Sequence, residues 1–362
     1  MKRGTIFFIL FVIIIVGVIG VSQFLRSQPP IIINITANNI IQPWLQDEAN
    51  RFNNTTPLTQ LGQPIQIQIS TIDDIQAWNT DSLSWRTHFP DAWIPSSTMS
   101  ANFLRESGIT FEVASESVVY TPLVWGAYVE TAERITRDGA VALDWDAVEN
   151  NLDETILAFY HPARSIIGFS AMLSAAGAYF DDTQINVTSN EFRAWLSPIV
   201  NDVPNFNTFG SSIVQTLASR GRSMGNIAIV PESEWLTNLR GSQVTGVQLY
   251  YPEYTFVFDM PYLVWQTPNQ PDRAASARQF LNWLTSTNAQ QRALNFGLRS
   301  EQIDVADYIA TARASANQDL STFPFANAET RRVQLQPDLS RTVTLTIRSD
   351  AQRFITWLNT QN

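Results

Sequence analysis

Between Ile31 and Glu106 the chain alternates short apolar runs with helical patterns, and that alternation leaves few folds open. Ile31-Ile32-Ile33-Asn34-Ile35-Thr36 is a nearly continuous apolar run and predicts a fully buried strand. A helix is predicted from about Ile40 to Asn53, with Ile41, Trp44, Leu45 and Ala49 on one face. Ile65-Gln66-Ile67-Gln68-Ile69 alternates strictly, so one face of that strand meets water. Pro90-Asp91-Ala92-Trp93-Ile94-Pro95 is a third short strand, and Ser96-Ser97-Thr98 caps a helix from about Met99 to Glu106. The order β-α-β-(α)-β-α is that of a parallel, doubly wound sheet. In such sheets ligands lie at the C-terminal ends of the strands, where loops run into helix N-termini. Asn38-Asn39 and Ser96-Ser97 fall in those places. Each reads first as a helix cap, and a cap can also touch a ligand.

A second strand-loop-helix unit lies mid-chain. Thr155 to Tyr160 reads as a short strand, and Pro162 stops its ladder because it has no N–H to donate. Ile166 to Tyr179 reads as a helix with Ser165 at the N-cap. This geometry aims free amides and the positive dipole end at a ligand. Arg164 adds a planar fork of donors beside them. Taken alone, Ser165 reads as a helix cap.

Composition removes many functions. The chain has 362 residues, 44% hydrophobic and 15% charged, which suits two domains better than one. A net charge of -10 argues against a nucleic-acid partner. Cysteine is absent, so there is no disulfide, thiol nucleophile or thiolate metal site. Lys2 is the only lysine, which excludes Walker A, Schiff-base and Ser–Lys chemistry. His88 and His161 are the only histidines. The acid doublets Asp73-Asp74 and Asp181-Asp182 read as solvated turns, and no metal or cofactor site is expected.

Lys2 and Arg3 precede an uncharged run from Thr5 to Leu25. As a helix this run spans about 31 Å, enough to cross a membrane. It has no clear cleavage motif, so residues 1–28 are expected to be an uncleaved anchor with the rest of the chain extracytoplasmic. A cleaved signal sequence and secretion is the alternative.

Ser117 to Val129, broken by Pro122, looks like a crossing between lobes. Helices are expected at about Ser189–Val203, Thr208–Arg220 and Ala274–Thr287, and Met224 to Pro231 reads as a buried strand before a helix at Glu232. In the tail, Val343 to Ile347 looks like a strand and Asp350 to Leu358 like a closing helix.

Several stretches together resemble the bacterial extracellular solute-binding proteins, receptors associated with ATP-binding-cassette (ABC) importers, in their type II form. Pro90 to Ser97 resembles the family's strand and turn, Val118 to Val124 its first crossing, and Pro162 to Ser170 its central loop and helix. In that loop His161 stands for the usual Asp and Ile166 for a Gly. Val230-Pro231-Glu232-Ser233, Asp259-Met260-Pro261-Tyr262, Phe280 to Leu284 and Phe296-Gly297-Leu298-Arg299 resemble further family segments. The likeness covers roughly Ile31 to Arg299. It implies an α/β, two-lobed type II periplasmic-binding-protein fold with parallel-rich central sheets, plus the N-terminal transmembrane helix. The first lobe would be 29–120 with 256–362, and the second 121–255. A hinged clamp of this kind closes on its ligand. Carried over, the ligand-facing residues are Asn38, Asn39, Ser96 and Ser97 from the first lobe, and Arg164, Ser165 and Glu232 from the second. The partners implied are a small-molecule solute and an ABC permease, with the receptor a monomer.

Two rivals stand beside this reading. Gly168-Phe169-Ser170-Ala171-Met172 begins like a nucleophile elbow, but Met172 replaces the closing Gly and both histidines precede Ser170, the wrong order for an α/β-hydrolase. A membrane-tethered sensing or protein-interaction module with the same fold and no transport role is the other.

Overall fold

The computed structural model describes residues 11–15, 28–78, 89–203, 206–239, 246–265, 271–314, 323–326, 328 and 330–361. The chain begins its first sheet with β1 (Ile31–Ala37), α1 (Gln42–Asn54), β2 (Ile65–Thr71) and α2 (Asp74–Trp78). β3 (Ala92–Ile94), α3 (Thr98–Glu106) and β4 (Glu112–Ser115) follow. β1 pairs in parallel with both β2 and β3. It is not buried on both faces throughout: Ile33 and Ile35 are fully enclosed, but Ile32 is 45% exposed. The expectation of a fully buried strand fails there because α1 covers one face of the sheet and solvent reaches the other end. α1 turns Trp44, Leu45, Glu48, Ala49 and Phe52 inward, the periodic set plus one carboxylate.

β5 (Thr121–Tyr128) opens the second sheet and is buried at all eight positions. α4 (Val129–Ile135), α5 (Trp145–Glu149), β6 (Leu157–Ala158), α6 (Ile166–Phe180), α7 (Asn190–Asp202) and α8 (Ile213–Arg220) follow. β7 (Ile227–Pro231), α9 (Glu232–Leu239), β8 (Val247–Tyr250) and β9 (Val257–Phe258) complete this part. The chain then returns through β10 (Tyr262–Val264), α10 (Pro271–Leu284), α11 (Thr287–Ala293), α12 (Val305–Ala314) and α13 (Arg348–Leu358).

The sheets run β2-β1-β3-β10-β4 and β6-β7-β5-β8, with β9 paired to β5. Both are mixed rather than parallel-rich. β10 is antiparallel to β3 and β4, and β5 is antiparallel to β7 and β8. The cause is the two crossings: β5 and β10 enter their sheets from the hinge side, against the direction of the βαβ strands. The crossings lie together, with Thr121 opposite Phe258 and Tyr120 bridged to Arg299. The result is a two-lobed α/β clamp with one apolar cluster running through both lobes, from Ile33 and Trp44 to Trp125 and Phe169.

The C-terminal segment contacts both lobes. Arg331 accepts from Leu249 N–H at 2.8 Å in the second lobe. The expected strand at 343–347 does not form: Thr342 and Thr344 make isolated bridges to Thr255 and Gln184 instead. α13 sets Phe354 5.9 Å from Phe169 and 6.0 Å from Phe192, both in the second lobe, while Glu106 of the first lobe accepts from Arg348 N–H at 3.0 Å. The closing helix, expected with the first lobe, therefore lies across both.

Most of the expected membrane segment lies outside the described residues. Among the described residues no helix is long and apolar enough to cross a membrane.

Candidate functional site

A cavity of about 190 Å3 lies between the lobes. Asn39, Ile40 and Pro43 wall it from the start of α1, and Phe296 from beyond α11. Tyr160, Ile167, Ser212, Glu234, Thr237 and Asn238 wall it from the second lobe. A larger groove of about 590 Å3 runs along α3, but its other walls are the hinge and residues 342–346, and it meets none of α6, α8 or α9. The smaller cavity is the one of the two that is walled by helices of both lobes.

Glu234 is the charged group of that cavity. Its Oε1 accepts from Tyr160 Oη at 2.9 Å, Ser212 Oγ at 2.7 Å and Val214 N–H at 3.3 Å. Burial pushes its pKa up, while these donors hold it back. Burial and the adjacent Glu234 charge drive the Tyr160 phenol far above its ordinary range, so it stays a donor.

Beside the cavity, the two lobes touch through a carboxylate. Asp73, in the loop after β2, accepts from Ile166 N–H at 3.0 and 3.2 Å, at the first turn of α6. Its Oδ1 also accepts from Ile75 N–H at 2.9 Å. Asp74 is fully buried and accepts from Ser96 N–H at 2.8 Å and Ser96 Oγ at 2.6 Å. Burial raises Asp73 to about 6 and, with the charge of Asp73 adding to it, Asp74 to about 7. The expectation that this doublet is a solvated turn is therefore wrong: it packs under the loops that carry Ser96 and Ser165. Asp181, in the other doublet, does reach solvent, with 87% of its side chain exposed.

The sequence-chosen residues separate by place. Asn39 lines the cavity. Asn38 is buried, donating to Ile94 O at 3.3 Å and accepting from Ile40 N–H at 2.9 Å, so it shapes the turn into α1. Ser96 holds Asp74, and Ser97 caps α3 by accepting from Ser100 N–H at 3.4 Å. Ser165 is the N-cap of α6, accepting from Ile167 N–H at 3.2 Å. Arg164 is exposed and outside the cavity lining. The structure places Glu232 not in the cavity but in a buried ion pair with Arg299, at 2.6 and 2.8 Å.

Sequence reasoning missed Glu234, Asp73 and Tyr160. A signal for Glu234 was present: it stands two positions after Glu232 in one helical turn, so the two side chains point to different sides. For Asp73 there was none, since a loop carboxylate meets a helix 93 residues away. Among the described residues no group of three or more His, Cys, Asp or Glu side chains could hold a metal ion.

The model of a family described as bacterial extracellular solute-binding protein matches residues 80–299. The chain belongs to that family. It is a solute-binding protein, and its solved neighbours share the clamp at low identity. The periplasmic binding protein AfuA from Actinobacillus pleuropneumoniae, with fructose-6-phosphate bound, matches with TM-score 0.58 and 12% identity over 92% of this chain and 98% of its own. An ABC transporter solute-binding protein from Agrobacterium vitis, with bound D-mannitol, gives 0.55 and 16% over 91% and 94%. The sulfate-binding protein SubI from Mycobacterium tuberculosis gives 0.50 and 16% over 79% and 92%. Among curated proteins nothing matches.

Proposed function

We propose that this extracellular solute-binding protein captures a small solute between its lobes and presents it to an ABC importer, with no catalytic step. The observation that carries this is the interlobe cavity: Asn39 and Phe296 face Tyr160 and Glu234 across it, so a solute that touches both walls favours closure. Neighbours named for sulfate, mannitol and fructose-6-phosphate support the transport role. In this reading residues 29–120 with 256–362, and 121–255, move about the paired crossings, with α13 as a clasp between them. Asn39 contacts the solute directly. Arg164 and Ser165 stand at the rim, and Asn38, Ser96, Ser97 and Glu232 set the frame. Residues 1–28 tether the receptor, a monomer, to the outer face of the cell membrane.

The tethered-module reading draws on one observation, that Asp73 and α13 join the lobes through direct protein contacts. Thermal melts of the full-length protein in mild detergent separate the two. A solute that binds the native state alone stabilises by about 2.7 kcal/mol at a hundredfold excess over Kd. A clear shift with one solute class supports the receptor. A cooperative melt unmoved by sugars, amino acids, amines and oxyanions supports the module.

A further inference from the structure

We infer that the cavity takes a small organic cation, an ammonium-bearing solute, and not an oxyanion; this rests on the receptor reading above. A helix N-terminus is where an anion would be held, and three such ends already hold protein carboxylates, α6 and α8 beside the cavity and α3 in the larger groove. At the start of α1 the N–H groups of Ile40 and Ile41 go to Asn38 Oδ1. Asp73 sits on Ile166 N–H of α6 at 3.0 Å, Glu234 on Val214 N–H of α8 at 3.3 Å, and Asp259 on Thr98 N–H of α3 at 2.7 Å. A sulfate or molybdate would have to expel a carboxylate at each.

The cavity's own charge points the same way. Among the described residues Glu234 is its one charged lining residue, and no Arg lines it. The buried guanidinium of Arg299 is engaged by Glu232. The hydrogen bonds from Tyr160 Oη, Ser212 Oγ and Val214 N–H all fall on one oxygen of Glu234, Oε1. A carboxylate oxygen at a partly enclosed site is stabilised by a cation far more than it would be in water. Ile40, Pro43, Ile167 and Phe296 offer apolar walls for the methylene or methyl groups of such a cation, and Asn39 and Asn238 offer amides for its polar end. At about 30 Å3 per water in the liquid, 190 Å3 suits a monomeric metabolite and not an oligosaccharide.

Isothermal titration of the full-length protein in mild detergent tests this, with choline, ethanolamine and putrescine as cations, D-mannitol as a neutral polyol, and sulfate and molybdate as anions. We expect one cation to bind at least tenfold more tightly than any anion or polyol, and Glu234→Gln to weaken it at least tenfold. Should Glu234→Gln fail to melt cooperatively, the wild-type ranking of cation against sulfate decides. Sulfate or molybdate binding as tightly as the best cation overturns the inference and leaves the receptor standing, as does tight mannitol binding that Glu234→Gln leaves unchanged. No heat from any of the six probes, on a protein that melts cooperatively, overturns the inference, and the receptor reading then rests on the wider melting panel above.

Discussion

Arg299 and Glu232 form a bidentate ion pair, Nε to Oε2 at 2.6 Å and Nη2 to Oε1 at 2.8 Å, with both side chains almost wholly buried. Arg299 follows α11 and bridges to Tyr120, and Glu232 opens α9, so the pair joins the segment beside the first crossing to the helix that carries Glu234. Tyr251 Oη also donates to Glu232, and Leu335 O accepts from Arg299 Nη1 at 2.8 Å. The site is therefore satisfied only while both partners are present. Arg299→Leu leaves a buried carboxylate without its cation, which costs about 3–5 kcal/mol. Urea denaturation should show that loss, and the double variant Arg299→Leu with Glu232→Leu should recover part of it. A single variant within 1 kcal/mol of wild type would show that Glu232 finds water or a proton instead.

Asp73 and Asp74 give a pH prediction with a definite sign. Both titrate above the ordinary carboxylate range, near 6 and 7, because burial disfavours their charged forms. The folded state then binds these protons more tightly than the unfolded chain. The stability from that difference is full below about pH 4 and is lost as pH rises through 6 to 7. The Asp73 shift alone corresponds to something on the order of 3 kcal/mol. Chemical denaturation from pH 4.5 to 8 should show wild type losing stability across this window, with Asp73→Asn losing less. Parallel curves for the two proteins would mean that the Asp73 carboxylate is solvated.

Gly168 carries a tighter constraint than its place in a helix suggests. A Cβ there would lie 2.1 Å from Tyr160 O and 2.7 Å from its carbonyl carbon, both backbone atoms. Gly168→Ala must therefore push α6 away from the Tyr160 loop, at about 3 kcal/mol or more. Because Tyr160 Oη holds Glu234, the shift also deforms the cavity. Thermal melts with circular dichroism should report a lower Tm with helix content retained. An unchanged Tm would show that the loop moves freely against α6.

The expected strand-loop-helix units hold at α3 and α6, where local chemistry decides. Ser97 and Ser165 are caps by sequence and caps in the fold, and α6 begins at Ile166 as the N-cap rule requires. The mixed character of the sheets was not legible, because strand direction depends on where β5 and β10 enter, not on their residues. The site was half legible for a related reason. Residues at strand ends, such as Asn39, follow from topology. Asp73 and Glu234 depend on which loop meets which helix across the cleft, and composition assigned Asp73 to solvent. Glu232 matched a family segment, yet its pairing with Arg299 needs the two crossings to be closed before it can be seen.

Phe354 is the anchor of the closing helix, fully buried between Phe169 of α6 and Phe192 of α7. Six residues earlier, Arg348 donates its backbone N–H to Glu106 of α3 and its guanidinium to Trp78 O at the end of α2. One short helix thus grips the second lobe by an apolar residue and the first lobe by polar contacts. Phe354→Ala removes the apolar grip and should cost about 3–5 kcal/mol. Native-state hydrogen exchange distinguishes a clasp from a passive cover. A clasp predicts that protection falls in α6, in α7 and at Trp78 together, because releasing Phe354 also frees Arg348. Loss confined to α6 and α7, with Trp78 unchanged, would mean that α13 belongs to the second lobe alone and leaves the hinge free.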